Sequence, residues 1–237
     1  MKTLKLFLTF LVIGMLSITT QAQTIDEILN KHAEAIGGLE NWAKIKSVKI
    51  DMGMKMQGMD VVITAIQLNC KAMRTDITVM GMSGYTIVTN TNGWNYMPFA
   101  GQTKPEPMTE DMVKTAQDDL CLLDRLFRVK ETGDKLESLG KDDVDGTECY
   151  KLKLTDNSGK ETTYYLDADS YLLIKKTVKA TVNGQVTENS ATMGNYQKLP
   201  EGIVMAMTTQ AGGGEMEIQK VVVNPEVDES IFLQANK

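Results

Sequence analysis

Asp145-Gly-Thr-Glu-Cys-Tyr-Lys-Leu-Lys-Leu-Thr155 is followed by Asp156-Asn-Ser-Gly-Lys160, Glu161-Thr-Thr-Tyr-Tyr-Leu-Asp167, Ala168-Asp-Ser170, and a run from Tyr171 to Val182. Asn183-Gly184 then separates that run from a last one ending at Tyr196. Tyr150, Leu152 and Leu154 alternate with Lys151, Lys153 and Thr155. Strong strand formers fill Thr162 to Leu166, and Leu172 to Val182 is apolar or β-branched at most positions. Period-two alternation broken by turn residues at short spacing is the pattern of an antiparallel meander. Asn157-Ser158-Gly159 and Asn183-Gly184 supply residues that tolerate the positive φ of tight hairpins. A meander this long with one apolar face needs a cover, and the rest of the chain reads as that cover.

Upstream, Ser47 to Met59 alternates strictly, with Val48, Ile50, Met52, Met54 and Met56 against Lys49, Asp51, Gly53, Lys55 and Gln57. Gly58-Met59-Asp60 turns the chain, Val61 to Met73 returns it, and Arg74 to Met80 continues the sheet. After a turn at Gly81 to Gly84, Tyr85 to Thr89 and Trp94 to Met97 form a hairpin around Asn90-Thr91-Asn92-Gly93. Near the other end, Ile203 to Gln210 and Glu215 to Val223 form a hairpin with Gly212-Gly213-Gly214 at its tip. Ile231-Phe232-Leu233 is expected to dock the tail on the sheet.

Two helices are expected. Thr24 to Lys44 carries a capping-box pair, Thr24 and Glu27, and an apolar face of Ile25, Ile28, Leu29, His32 and Ile36. Gly37-Gly38 stops it before a short turn holding Trp42. Thr109 to Phe127 reads as the second, capped by Thr109, with a stripe of Met112, Val113, Ala116, Leu120, Leu123 and Phe127. This helix, inserted between two sheet runs, can lie across one mouth of the sheet.

Residues 1–22 read as a secretion signal: Lys2 and Lys5, an apolar core from Leu6 to Leu16, and Thr20-Gln21-Ala22 at the expected cleavage point. The apolar core is too short to span a bilayer comfortably, which disfavours the alternative of an uncut membrane anchor. With no Cys at the boundary, the bacterial lipoprotein route does not modify the new N-terminus. Residues 23–237 then form one β domain without a membrane-spanning stretch. Loss of two lysines moves the net charge from −6 to −8 over 215 residues. That argues against a nucleic-acid surface and against simple attraction to an anionic bilayer. Of Cys70, Cys121 and Cys149, an odd number, at least one thiol stays free. All three as core thiols, or one disulfide of any pairing, fit the spacing.

Chemical signatures are sparse. His32 is the sole histidine and reads as structural. There is no phosphate loop, nucleophile elbow or metal-ligand spacing, and Asp142, Asp143 and Asp145 read as a solvated turn. No cofactor and no enzymatic activity are expected. The unusual feature is methionine, sixteen in all, fourteen beyond the signal. Methionine is flexible and polarizable and adapts to varied apolar shapes. The expectation is an apolar cavity lined by Met52, Met54, Met56, Met73, Met97, Met112, Leu120, Leu123 and Phe127, set between the first strand and the inserted helix. The alternative is an ordinary methionine-rich core.

Asn69-Cys70-Lys71-Ala72-Met73-Arg74 and Tyr85 to Phe99, with its Asn-Gly turn and Tyr-x-Pro ending, resemble the periplasmic outer-membrane lipoprotein-sorting carriers. Tyr164-Tyr165-Leu166-Asp167 and Asp228 to Phe232 are similar to later parts of that superfamily. Ile36 to Ser47 looks like secreted members from the Bacteroides group. The carriers' Arg-Pro pair at the end of the second strand has no counterpart in Asn69-Cys70-Lys71. The resemblance implies an α+β, mostly β fold: a half-open antiparallel β-barrel with helices plugging the concave face. It also implies an acyl chain of a lipoprotein, or another lipid, as ligand, and envelope donor and acceptor proteins as partners. The alternative is a non-enzymatic envelope structural or interaction module with a filled core.

Overall fold

The computed structural model describes residues 23–56, 58–182, 185–212 and 214–233. The expected signal segment, the Asn183-Gly184 turn and Gly213 lie outside the described residues. One meander runs β1 (Ser47–Met56), β2 (Met59–Leu68), β3 (Ala72–Val79), β4 (Met82–Thr89), β5 (Gly93–Tyr96) and β6 (Glu106–Pro107). A second runs β7 (Lys135–Val144), β8 (Thr147–Thr155), β9 (Glu161–Asp167), β10 (Leu173–Val182), β11 (Gln185–Lys198), β12 (Val204–Ala211) and β13 (Gly214–Val223). Antiparallel pairing of β1 with β13 joins them into one thirteen-stranded sheet, ordered β6-β5-β4-β3-β2-β1-β13-β12-β11-β10-β9-β8-β7. Because β6 and β7 never pair, the barrel stays half open. Bulges at Asp51/Met52 and between Ser138 and Lys141 add the local twist that curves such a sheet. Asp145 and Gly146 close the β7–β8 hairpin with φ of 51° and 88°, as a two-residue primed turn requires.

Strand register separates two faces. Val48, Ile50, Met52 and Met54 lie opposite Gln67, Ala65, Ile63 and Val61 of β2 and Val223, Val221, Ile218 and Met216 of β13. This is the inner face, and the helices pack on it. The outer face of β2–β5 is also apolar, carrying Ile66, Ala72, Tyr85, Ile87 and Trp94. Phe232, Ile231 and Val227 of the tail cover it, and Arg74 Nη1 donates to the Ile231 carbonyl at 3.2 Å. Leu233 stays exposed.

Helix α1 (Ile25–Ala35) starts with the expected capping box. Thr24 Oγ1 accepts from the Glu27 N–H at 3.3 Å, and the Thr24 N–H donates to Glu27 Oε2 at 2.9 Å. Gly37 ends the turn at φ 95°, and a Cβ there would stand 2.1 Å from the Gly202 carbonyl oxygen. Only glycine allows that approach, which lets the Ile36 carbonyl accept from Val204 N–H at 2.8 Å and from Trp42 Nε1 at 2.9 Å. Helix α2 (Leu39–Trp42) is the short turn holding Trp42.

Two expectations are corrected. Val61 to Met73 is not one strand: Asn69, Cys70 and Lys71 form a turn between β2 and β3, with Cys70 at φ 57°. Thr109 to Phe127 is not one helix. Thr109 does cap α3 (Glu110–Ala116), but Gln117–Leu120 and Arg125–Phe127 are 3-10 turns, and α4 (Val129–Thr132) follows. The two departures share a cause. Cys121 is extended and disulfide-bonded to Cys70. The Leu120 carbonyl accepts from Cys70 N–H at 2.7 Å and Gln67 Nε2 at 2.8 Å, and Leu122 N–H donates to Asn69 Oδ1 at 3.0 Å. These bonds take the carbonyls and N–H groups that a continuous helix would need. Cys149 is the buried free thiol, pushed up to about 11 by burial and neighbouring carboxylates. No helix among the described residues is long and apolar enough to cross a membrane.

Candidate functional site

The inner face has a plugged part and an open part. Residues 117–132 form the plug. Leu126 is buried with Ile28 of α1 against Leu152, Leu154, Tyr164 and Leu166 of β8 and β9. Beside it, Leu122, Leu123 and Phe127 pack with Trp42, Ile45 and Val48. Phe127 stacks on His32 at 5.2 Å between ring centres.

Polar contacts hold the plug in register. Tyr164 Oη donates to Asp124 Oδ1 at 2.6 Å, and Lys176 Nζ donates to Asp124 Oδ2 at 2.8 Å. Asp124 also caps the Leu126 N–H at 2.9 Å. Burial alone would raise the Asp124 carboxyl, but Lys176 and the hydrogen bonds from Lys176, Tyr164 and Leu126 hold it below its usual value. Arg125 clamps the buried Asp134 through Nε at 2.5 Å and Nη2 at 2.8 Å and also pairs with Asp118. That clamp depresses Asp134 and raises Arg125. Lys160 pairs with Asp118 as well, and Asp156 stands 3.8 Å from Arg125. His32 Nδ1 lies 2.7 Å from the Tyr171 carbonyl, so Nδ1 bears the proton; burial lowers the pKa and keeps the ring neutral.

On β1–β3 and β13 the cover is thinner. Met52, Val61, Ile63 and Val79 are buried, while Met54, Met59, Ile77, Met216 and Ile218 around them are only half-buried. The main side chain laid over this wall from outside those strands is Phe99. It fits because Gly84 lacks a side chain: a Cβ there would stand 2.4 Å from the Tyr96 carbonyl oxygen and 3.1 Å from the Phe99 ring. Ile50 touches both this group and the Leu123–Phe127 group, so one apolar surface runs continuously under the plug edge. A cleft of about 530 Å³ at this end of the sheet lies mainly on the opposite, outer face, lined by Gly53, Lys55, Asp60, Val62, Glu215 and Glu217.

The expected lining residues are therefore not all together. Met52 and Met54 lie on one side of Ile50, and Leu123 and Phe127 lie on the other. Leu120 is fully buried, and its carbonyl binds the β2–β3 turn. Met73 is half-buried on β3, and Met97 is half-buried where its N–H donates to Gln102 Oε1 at 2.6 Å. Met112 faces solvent on α3, 48% exposed, because the broken helix no longer carries it toward the sheet. The Met56 side chain lies outside the described residues. The residues missed from the sequence are Phe99, Ile77 and Met216, and the Asp124–Lys176–Tyr164 and Arg125–Asp134 contacts. Alternation along β3 and β13 signals Ile77 and Met216; nothing local signals the polar contacts. Among the described residues no cluster of three or more His, Cys, Asp or Glu is placed to hold a metal ion.

No protein-family model matches the sequence, and no curated protein is detectably similar to it. Solved structures are similar in fold. One is an outer membrane lipoprotein-sorting protein domain from Vibrio parahaemolyticus, 12% identical, TM-score 0.55, covering 89% of this chain and 97% of that one. Another is a LolA superfamily protein from Nitrosomonas europaea, 12% identical, TM-score 0.58, covering 89% and 98%. A third is a DUF1329 family protein from Desulfovibrio piger, 11% identical, TM-score 0.57, covering 88% and 96%.

Proposed function

We propose that this chain, a half-open antiparallel barrel with helices on its inner face that is similar in fold to lipoprotein-sorting proteins, is exported to the periplasm and there binds or carries a lipid, or the acyl part of a lipid-modified protein, toward the outer membrane without catalysing a reaction. The observation that carries this reading is the continuous apolar surface from Met54 through Ile50 to Leu123 and Phe127, half-buried at both ends. An acyl chain laid there would remove apolar area from water at roughly 25 cal/mol per Å². The Met54 thioether adapts to a guest better than a β-branched side chain would. Donor and acceptor proteins of the envelope are the partners this reading requires.

The second reading is an envelope interaction module with a filled core. Full burial of Leu120 and near-full burial of Met52 favour it. Binding of a fluorescent fatty-acid analogue separates the two. The carrier reading expects saturable binding to the wild type and its loss in Met54→Gln/Leu123→Gln, with the thermal midpoint nearly unchanged. A wild type that does not bind the probe, or a double variant that binds it unchanged, rejects this surface as the ligand site. Unfolding of the double variant supports the filled core.

A further inference from the structure

Arg128 is unusual among the partly buried cations in and around the plug. Arg125, Lys160 and Lys176 each pair with aspartates. Arg128 forms no ion pair with any described acidic residue, and its Nε is buried without a hydrogen-bond partner. Its backbone is held: its N–H donates to the Arg125 carbonyl at 2.9 Å, and its carbonyl accepts from Thr132 N–H at 2.9 Å. Phe127 before it packs with the Trp42–Val48 group, and Val129 after it packs with the Leu126–Tyr164 group. The backbone that carries this unpaired guanidinium therefore lies where the plug crosses between two apolar groups, one of which belongs to the surface proposed for the acyl chain. A guanidinium stays charged at all physiological pH and presents its donors as a planar fork matched to carboxylate and phosphate oxygens. A buried N–H without a partner is uncommon in folded proteins and calls for a partner absent from the chain itself.

We infer that the ligand is an anionic amphiphile whose acidic oxyanion head group pairs with Arg128. This rests on the carrier reading, and the test separates the two. The probes are a fluorescent fatty acid and its methyl ester, which share a chain and differ in the charge. Wild type is expected to bind the acid about tenfold more tightly than the ester, one charge-assisted contact's worth. Arg128→Gln should reduce the preference to within about twofold and leave ester binding unchanged; Arg128→Lys should retain part of it. Inorganic phosphate alone should not displace the acid, because the chain supplies most of the affinity. Equal wild-type affinities for acid and ester overturn the head-group contact and leave the carrier reading standing. Binding of neither probe overturns both. An Arg128→Gln protein that keeps the tenfold preference also overturns the contact, and displacement of the acid by phosphate at equal concentration overturns the acyl-chain reading on which it rests. If Arg128→Gln does not fold, the wild-type ratio and Arg128→Lys decide.

Discussion

Replacing Cys70 and Cys121 by alanine tests how the plug is attached. The disulfide closes a loop across 51 residues of sequence. The loop-entropy relation puts its stabilisation for such a loop at about 4 kcal/mol, through restriction of the unfolded chain. For a chain of this size that corresponds to a thermal midpoint lower by on the order of 10 °C. The folded state should change little. Cys70 N–H to the Leu120 carbonyl at 2.7 Å uses the backbone, and Asn69 and Gln67 still hold Leu122, Asp119 and Leu120. Equilibrium urea unfolding of the oxidised protein, the protein with a dithiol reductant, and Cys70→Ala/Cys121→Ala measures this. The last two should coincide, at a midpoint well below the first, with an equal or larger slope because the unlinked chain exposes more surface. Near-ultraviolet circular dichroism and fatty-acid binding at zero urea should match wild type. Coincidence of all three unfolding curves would falsify the unfolded-state account. Loss of the near-ultraviolet signal in native buffer would refute the claim that the plug stays seated without the disulfide.

His32→Gln should leave ligand binding intact but change the pH dependence of stability. Burial holds the folded pKa below the usual value, so below about pH 6.5 the unfolded chain binds the extra proton and wild-type stability falls; urea midpoints from pH 7 to pH 5 should drop less in the variant, and equal slopes would contradict this. Asp134 is the opposite case: Arg125 depresses its folded pKa, so its contribution is present above about pH 4 and is lost as pH falls through the folded value. Asp134→Asn should therefore destabilise more at pH 7 than at pH 3, and a pH-independent loss would show that the ion pair is not the cause. Met52→Ala should cost about 2–5 kcal/mol, as for a buried side chain, and Met54→Ala clearly less, because Met54 is only half-buried; equal costs by urea unfolding would place Met54 in a sealed core. N-terminal sequencing of the exported protein is expected to begin at Gln23, within a residue or two, and a mature chain retaining Lys2 would rule out cleavage.

What local pattern decides was legible in the sequence. Alternation from Tyr150 to Leu154 and from Val48 to Met54 specifies strands and which side chains share a face, because side chains on a strand alternate by geometry. Asp145-Gly146 and the Thr24–Glu27 capping box read correctly because each is satisfied within a few residues. The stripe from Met112 to Phe127 misled for the complementary reason. Its helical spacing is real, but the carbonyl of Leu120 and the N–H of Leu122 bond to a turn some fifty residues earlier in the chain. The same long-range contact turned Asn69 to Lys71 into a hairpin where the apolar run alone reads as continuous strand. Pairing of Cys70 with Cys121, the Asp124–Lys176–Tyr164 contact and the clamp of Arg125 on Asp134 have no local signature either. The disulfide forms where the plug meets the β2–β3 turn, and the Asp124 contact forms where the plug settles on β9 and β10. A periodic pattern registers a neighbour three or four positions away; it carries no record of which distant donor will claim a carbonyl, and that claim decided where the helix ended and which methionines met the plug.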